Sequence, residues 1–257
     1  MSSENINTFT KDNLNTYLSE LAKQYRKLCG KSIKAEIILV GGAAVLANYD
    51  FRDMTTDVDA LINASSAMKD AINFVGDKFE LPNGWLNADF TRTASFSTKL
   101  WQYSQYYRTF SNVLQVRTVS AEYLVAMKLM SGRQYKHDLS DVVGILVEHQ
   151  EKGEPLTLAD IEKAVADLYE QWAKLPVTSQ SFIRAAMEHP DLREVYENIN
   201  RSEQEAKKIL ISFEERYPGV TTEANVNDII SKAQAKAESK ESLLDALKAK
   251  RKAGKER

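Results

Sequence analysis

Asp57 and Asp59 are the first residues in this chain whose types and spacing suit shared chemistry. If Asp57-Val58-Asp59-Ala60-Leu61-Ile62 is a strand, as its alternation suggests, both carboxylates leave one face and aim at one spot. Like charges that close resist ionising side by side, and divalent cations relieve the repulsion. Mg²⁺ favours one or two carboxylates completed by substrate phosphate oxygens. Two such ions, roughly 3.5–4 Å apart, can clamp an in-line attack on the α-phosphate of a nucleoside triphosphate. Upstream, Gly41-Gly42 lacks Cβ atoms, so its backbone N–H groups at a helix start can approach and bind an anion. Each signal alone is common: Asp-x-Asp is usually a solvated strand edge, and Gly-Gly a plain turn. Their order says more, because an apolar strand, the diglycine, a small-residue helix and Arg52-Asp53-Met54-Thr55-Thr56-Asp57-Val58-Asp59 follow one another.

The elements that must hold these residues are legible. Thr10 is an N-cap for a helix with Leu14, Tyr17, Leu18, Leu21, Tyr25 and Leu28 at helical spacing, stopped by Gly30. Cys29 ends that helix as a small apolar residue. Ile37-Ile38-Leu39-Val40 reads as a buried strand running into Gly41-Gly42, and Ala43-Ala44-Val45-Leu46-Ala47 as a closely packed helix. Ser66 to Lys78 is another helix. Residues 80–119 hold further strands, the clearest being Val113 to Thr118, with a turn at Pro82-Asn83-Gly84. Ser120 caps a helix containing Tyr123, Leu124, Met127, Lys128 and Met130, and Leu139 to His149 follows. From Thr157 every segment has helical period: Ile161 to Leu175, Gln180 to Glu188 and Leu192 to Tyr217, punctuated by Pro176, Pro190 and Pro218-Gly219.

The Gly-Gly…Asp-x-Asp order resembles the nucleotidyltransferases of the DNA polymerase β superfamily. Arg52, Thr55, Asp57 and Asp59 are similar to the branch related to the abortive-infection AbiEii and MenT toxins. Lys128 and Arg133-(four residues)-Asp138-Leu139-Ser140-Asp141 match that branch's second block, and Trp85-Leu86-Asn87 resembles a feature of its smaller members. The likeness covers about residues 33–150. It implies Asp57 and Asp59 as metal ligands, and Gly41, Gly42, Arg52, Thr55, Lys128 and Arg133 as nucleotide contacts. Lys128 is then expected as a mobile cation for the triphosphate. Asp138 or Asp141 is expected to orient that lysine or to act as base, with a favourable charge at a helix N-terminus as the alternative. Arg133 pairs either with phosphate or with Asp138 or Asp141. Superfamily sites carry a third carboxylate on a neighbouring strand, where Gln115 or Arg117 is expected here, with Asp89 as substitute.

Composition bounds the rest. The chain has 257 residues, 43% apolar and 27% charged, with a net charge of −2 that gives no global attraction to nucleic acid. One cysteine excludes an internal disulfide framework and a multi-cysteine zinc site. The N-terminus lacks a signal-peptide pattern and no apolar run approaches a membrane span, which suits a cytoplasmic protein without a membrane partner. Residues 231–257 carry nine Lys or Arg and four acids, a local +5 that reads as a solvated helix before a nucleic-acid contact. His137, His149 and His189 form no metal cluster. Trp101, Tyr103, Tyr106, Tyr107 and Phe110 can stack a base, though core packing explains them better.

The expected architecture is α+β: a polymerase β-like domain with a small mixed sheet over residues 1–150, then a helical region over 155–257 with a basic tail. The resemblance implies an Mg²⁺-dependent transfer from a nucleoside triphosphate to the 3′ end of tRNA or to protein, in a toxin–antitoxin or phage-defence setting with a separate antitoxin. A catalytically weak nucleotidyltransferase-like binding module is the alternative. A helical interaction protein, working through residues 155–257, is a third.

Overall fold

Thr10 opens the first helix as read: its hydroxyl accepts from the Asn13 N–H while the Asn13 side chain accepts from the Thr10 N–H. The computed structural model describes residues 8–236 except 134 and 223, so most of the basic tail lies outside the described residues. Helix α1 (Lys11–Cys29) ends at Gly30, whose φ of 80° suits glycine. Strand β1 (Ala35–Leu39) feeds helix α2 (Gly41–Asn48), and strand β2 (Val58–Asn63) follows. Then come helix α3 (Ala67–Phe79), the short strand β3 (Leu86–Asn87), two 3₁₀ turns, and strands β4 (Ser104–Phe110) and β5 (Leu114–Val119). Helices α4 (Ala121–Ser131), α5 (Asp138–Glu151), α6 (Leu158–Tyr169), α7 (Val177–Glu188) and α8 (Leu192–Arg216) complete the order, and 226–236 is helical.

The five strands form one mixed sheet in the order β3-β2-β1-β5-β4. β1 runs antiparallel to β2 and parallel to β5; β2 and β3 are parallel, and β4 and β5 form an antiparallel hairpin. This is the expected α+β fold with a small mixed sheet and a helical C-terminal region. Among the described residues no helix is long and apolar enough to cross a membrane.

The chain divides into two compact units: residues up to 132 with 138–196, and 133–137 with the residues from 197 onward. The first unit therefore runs past the expected division between residues 150 and 155. The cause is apolar: α6 buries Ile161, Ala164, Val165 and Leu168 in the same core as α4 and the sheet. That core also takes Phe9, Leu14, Leu18, Leu21 and Tyr25 from the N-terminal segment. In the second unit Ala206, Val226 and Ile230 pack with Tyr135 and Leu210, and Glu203 is buried 3.8 Å from His137.

Candidate active site

The β1–β2 register decides where Asp59 lies. Leu39 pairs with Ala60, and the Val40 N–H donates to the Asp59 carbonyl at 3.0 Å. One residue on, Gly41 turns at φ 55°, and a Cβ placed there would sit 3.7 Å from Asp59 Oδ2. The second aspartate and the diglycine bend, distant by 18 positions in sequence, are thus neighbours. The strand begins one residue later than the alternation suggests, at Val58. That residue is fully buried, with Asp57 exposed and Asp59 half-buried on either side.

The first turn of α2 is built for close approach. Its N-cap, Val40, offers no side-chain cap, so the leading N–H groups have no partner from that side chain. A Cβ on Gly42 would fall 2.5 Å from Thr55 Oγ1 and 3.2 Å from Arg52 Nη2. Glycine at 42 is what lets the segment ahead of the aspartates lie against this helix start. Thr55 Oγ1 also donates to the Asp57 carbonyl at 3.3 Å, tying one site residue to the next.

Two anchors that sequence reasoning missed fix the same segment. Phe9 and Thr55 exchange both backbone hydrogen bonds, at 2.7 and 2.9 Å, and the Phe9 ring is buried against Trp85 and Tyr17. Phe51 presses its ring onto Gly144 of α5, where a Cβ would meet ring carbons at 2.5–2.7 Å. Tyr196 donates to the Phe51 carbonyl at 3.4 Å. Neither anchor has a local motif, because each joins residues far apart in the chain.

The second block arrives as a buried chain of alternating charge. Arg52 Nη1 donates to both oxygens of Asp141 at 2.5 Å, and Arg52 Nε to the Met54 carbonyl at 3.0 Å. Lys128 Nζ reaches Asp141 Oδ2 at 2.7 Å and Asp138 Oδ1 at 2.9 Å. Asp138 and Asp141 lie in the first turn of α5, where the helix dipole favours carboxylates. Burial disfavours the Lys128 ammonium, but Asp138 and Asp141 outweigh it and hold its pKa above the ordinary lysine value.

This geometry corrects the expected mobility of Lys128. Its side chain is 8% exposed and committed to two carboxylates, so it is neither a mobile triphosphate hand nor a surface lysine. The signal was present: α4 is apolar all round, burying Tyr123 through Leu129, and a lysine inside such a helix must be buried and paired. Asp141, weighed against Arg133 from sequence, takes Arg52. Arg133 belongs to the second unit.

The place of a third acid is also corrected. β5 pairs with β1, not β2, which sets Gln115 opposite Glu36 and Arg117 opposite Ile38; both side chains contact Glu36. The strand beside Asp59 is β3, and the residue opposite is Asn87. Its amide donates to the Gly84 carbonyl and its oxygen accepts from the Asp89 N–H, leaving Asp89 exposed at the start of a 3₁₀ turn. Among the described residues no three His, Cys, Asp or Glu side chains gather as a metal site.

The aromatic run serves packing. Tyr103 stacks on Tyr123 with centroids 4.0 Å apart, Tyr107 donates to Asn15, and Phe110 is buried; Tyr106 alone of these is largely exposed. Cys29 lies 3.2 Å from Ser65 Oγ at the end of α1. His149 contacts Tyr49, and His189 the backbone of Asp191.

Residues 16–171 match the model of a family described as a nucleotidyltransferase of unknown function (DUF6036), a span that holds every candidate site residue and more than half of the 257-residue chain. No curated protein and no solved structure matches the chain.

Proposed function

The chain belongs to this family of nucleotidyltransferases of unknown function, and from that premise we propose an Mg²⁺-dependent enzyme that moves a nucleotidyl group from a nucleoside triphosphate to RNA, such as the 3′ end of tRNA, or to a protein side chain. The acceptor hydroxyl attacks the α-phosphorus, the bond to the β-phosphate breaks, and pyrophosphate leaves. The observation that carries the reading is Asp59 standing beside the diglycine bend, with Thr55 and Arg52 packed over its second glycine.

Asp57 and Asp59 would hold Mg²⁺, and the donor chemistry fits: Asp59 stands beside a glycine whose missing Cβ leaves room, Asp57 lies two residues before it, and the remaining positions would fall to phosphate oxygens and water. When bound, the ion neutralises charge on the phosphates and on the departing pyrophosphate. The chain's own contribution is to present α2 N–H groups to the phosphates and to hold Asp59 against them through the β1–β2 register. The resemblance to the AbiEii and MenT branch supports a toxin role in bacterial or phage defence, with a cognate antitoxin and a cytoplasmic site of action.

Purified protein incubated with labelled nucleoside triphosphates, Mg²⁺ and total RNA tests this. Label should enter RNA or the protein fraction, and transfer should fall by a factor of about 10³ or more in Asp57→Ala and Asp59→Ala. Asn87 in place of a third acid favours one other reading, a weakly catalytic module that binds nucleotide. Under it, both aspartate variants would retain the biological effect of the wild-type protein.

A further inference from the structure

Arg52 divides its guanidinium between two tasks. Nε and Nη1 are spent on Met54 and Asp141, while Nη2 lies 3.2 Å from the position a Gly42 Cβ would take, at the first turn of α2. The planar fork makes these tasks dependent: fixing Nε and Nη1 also fixes the direction of Nη2. Behind it, Lys128 shares Asp141 and also pairs with Asp138.

We infer that Asp141 is a positioning residue: backed by Lys128 and Asp138, it sets the outward edge of Arg52 against the α2 N-terminus as a clamp for the triphosphate, and it touches no substrate itself. This rests on the reading that the triphosphate binds at the diglycine bend. It replaces two expected roles, Lys128 as a phosphate contact and Asp141 as a base, because both groups are buried and committed to ion pairs with each other and with Asp138 and Arg52. Asp141 is buried at 2% exposure with Arg52 on both its oxygens and Lys128 on one, which leaves no open face toward an acceptor hydroxyl.

The test is calorimetric binding of inorganic tripolyphosphate with Mg²⁺ to the full chain, which removes any base or acceptor contribution. Arg52→Gln and Asp141→Asn should each weaken binding about tenfold, the worth of one charge-assisted contact. The Arg52→Gln/Asp141→Asn double variant should bind no more weakly than Arg52→Gln, since Asp141 acts only through Arg52. Multiplying losses in the double variant, or wild-type affinity in Asp141→Asn, would overturn the inference while leaving the binding site intact. Should Asp141→Asn be recovered unfolded, Arg52→Lys decides. It keeps the charge but loses the fork, so it must lose affinity as Arg52→Gln does, and wild-type affinity in Arg52→Lys overturns the inference. Failure of the wild-type protein to bind tripolyphosphate sinks the site itself and the inference with it.

Discussion

Gly42→Ala puts the close packing at the helix start to a quantitative test. The new Cβ would stand 2.5 Å from Thr55 Oγ1 and 3.3 Å from Thr55 Cβ, against the 3.4 Å at which ordinary contact begins. Thr55 cannot retreat, because Phe9 holds its backbone by two hydrogen bonds of 2.7 and 2.9 Å. Rotating the hydroxyl away forfeits its bond to Asp57 and swings the methyl of a β-branched side chain. Overpacking of this kind costs about 1–3 kcal/mol and the lost bond about 1 kcal/mol more, against a gain of about 1 kcal/mol in helix propensity. The net is a loss of about 1–3 kcal/mol, or a melting point lower by roughly 3–10 °C for a unit of this size. Nucleotidyl transfer should fall further than stability does, because the residue forced to move carries Asp57. Thermal unfolding of Gly42→Ala and of Gly42→Ala/Thr55→Ala gives the measurement, with the second substitution expected to restore most of the loss. Gly41→Ala meets only Asp59 Oδ2 at 3.7 Å, so its cost is left-handed backbone strain of about 1–2 kcal/mol, and Thr55→Ala should not relieve it. A Gly42→Ala protein as stable as wild type, or a double variant no better than the single, would refute the packing argument.

Lys128→Met removes one cation from between two buried carboxylates and should cost about 3–5 kcal/mol by urea unfolding. The folded pKa of Lys128 is raised, so its stabilisation is complete below the ordinary lysine pKa and is lost as pH climbs through the folded value. On the alkaline side the gap between wild type and Lys128→Met should therefore close only above the ordinary lysine pKa; a gap that already closes as pH rises from 7 to 9 would contradict the charge assignment. Gly144→Ala drives a methyl into the Phe51 ring and should cost about 1–3 kcal/mol, with loss of transfer activity because Phe51 adjoins Arg52. Phe51→Leu should recover part of that stability, and a Gly144→Ala protein with wild-type melting and activity would count against the anchor.

Local physics made several elements readable from the chain alone. Thr10 with Asn13, the apolar spacing of Leu14, Leu18, Leu21 and Tyr25, and Gly30 specify α1 from start to stop, because a cap, a periodicity and a breaker act within a few residues. The same holds for the apolar run of β1, the glycines of α2 and the alternation of β2. These elements carry Gly41, Gly42 and Asp59, with Asp57 one residue ahead of β2, which is why the closeness of the diglycine and the aspartate segment was legible in outline. Tertiary structure decided the rest. The sheet order puts β3 rather than β5 beside Asp59, so Asn87 and not Gln115 faces it, and no sequence pattern states which strands become neighbours. Arg52 meets Asp141 across 89 positions and Phe9 meets Thr55 across 46, contacts whose value depends on a core that exists only once the chain has closed on itself. Lys128 shows the difference most plainly. Its charge belongs to the residue, but whether that charge faces water or two buried carboxylates depends on what packs around it. Burial is a property of the assembled neighbours, and a linear sequence records them without their distances.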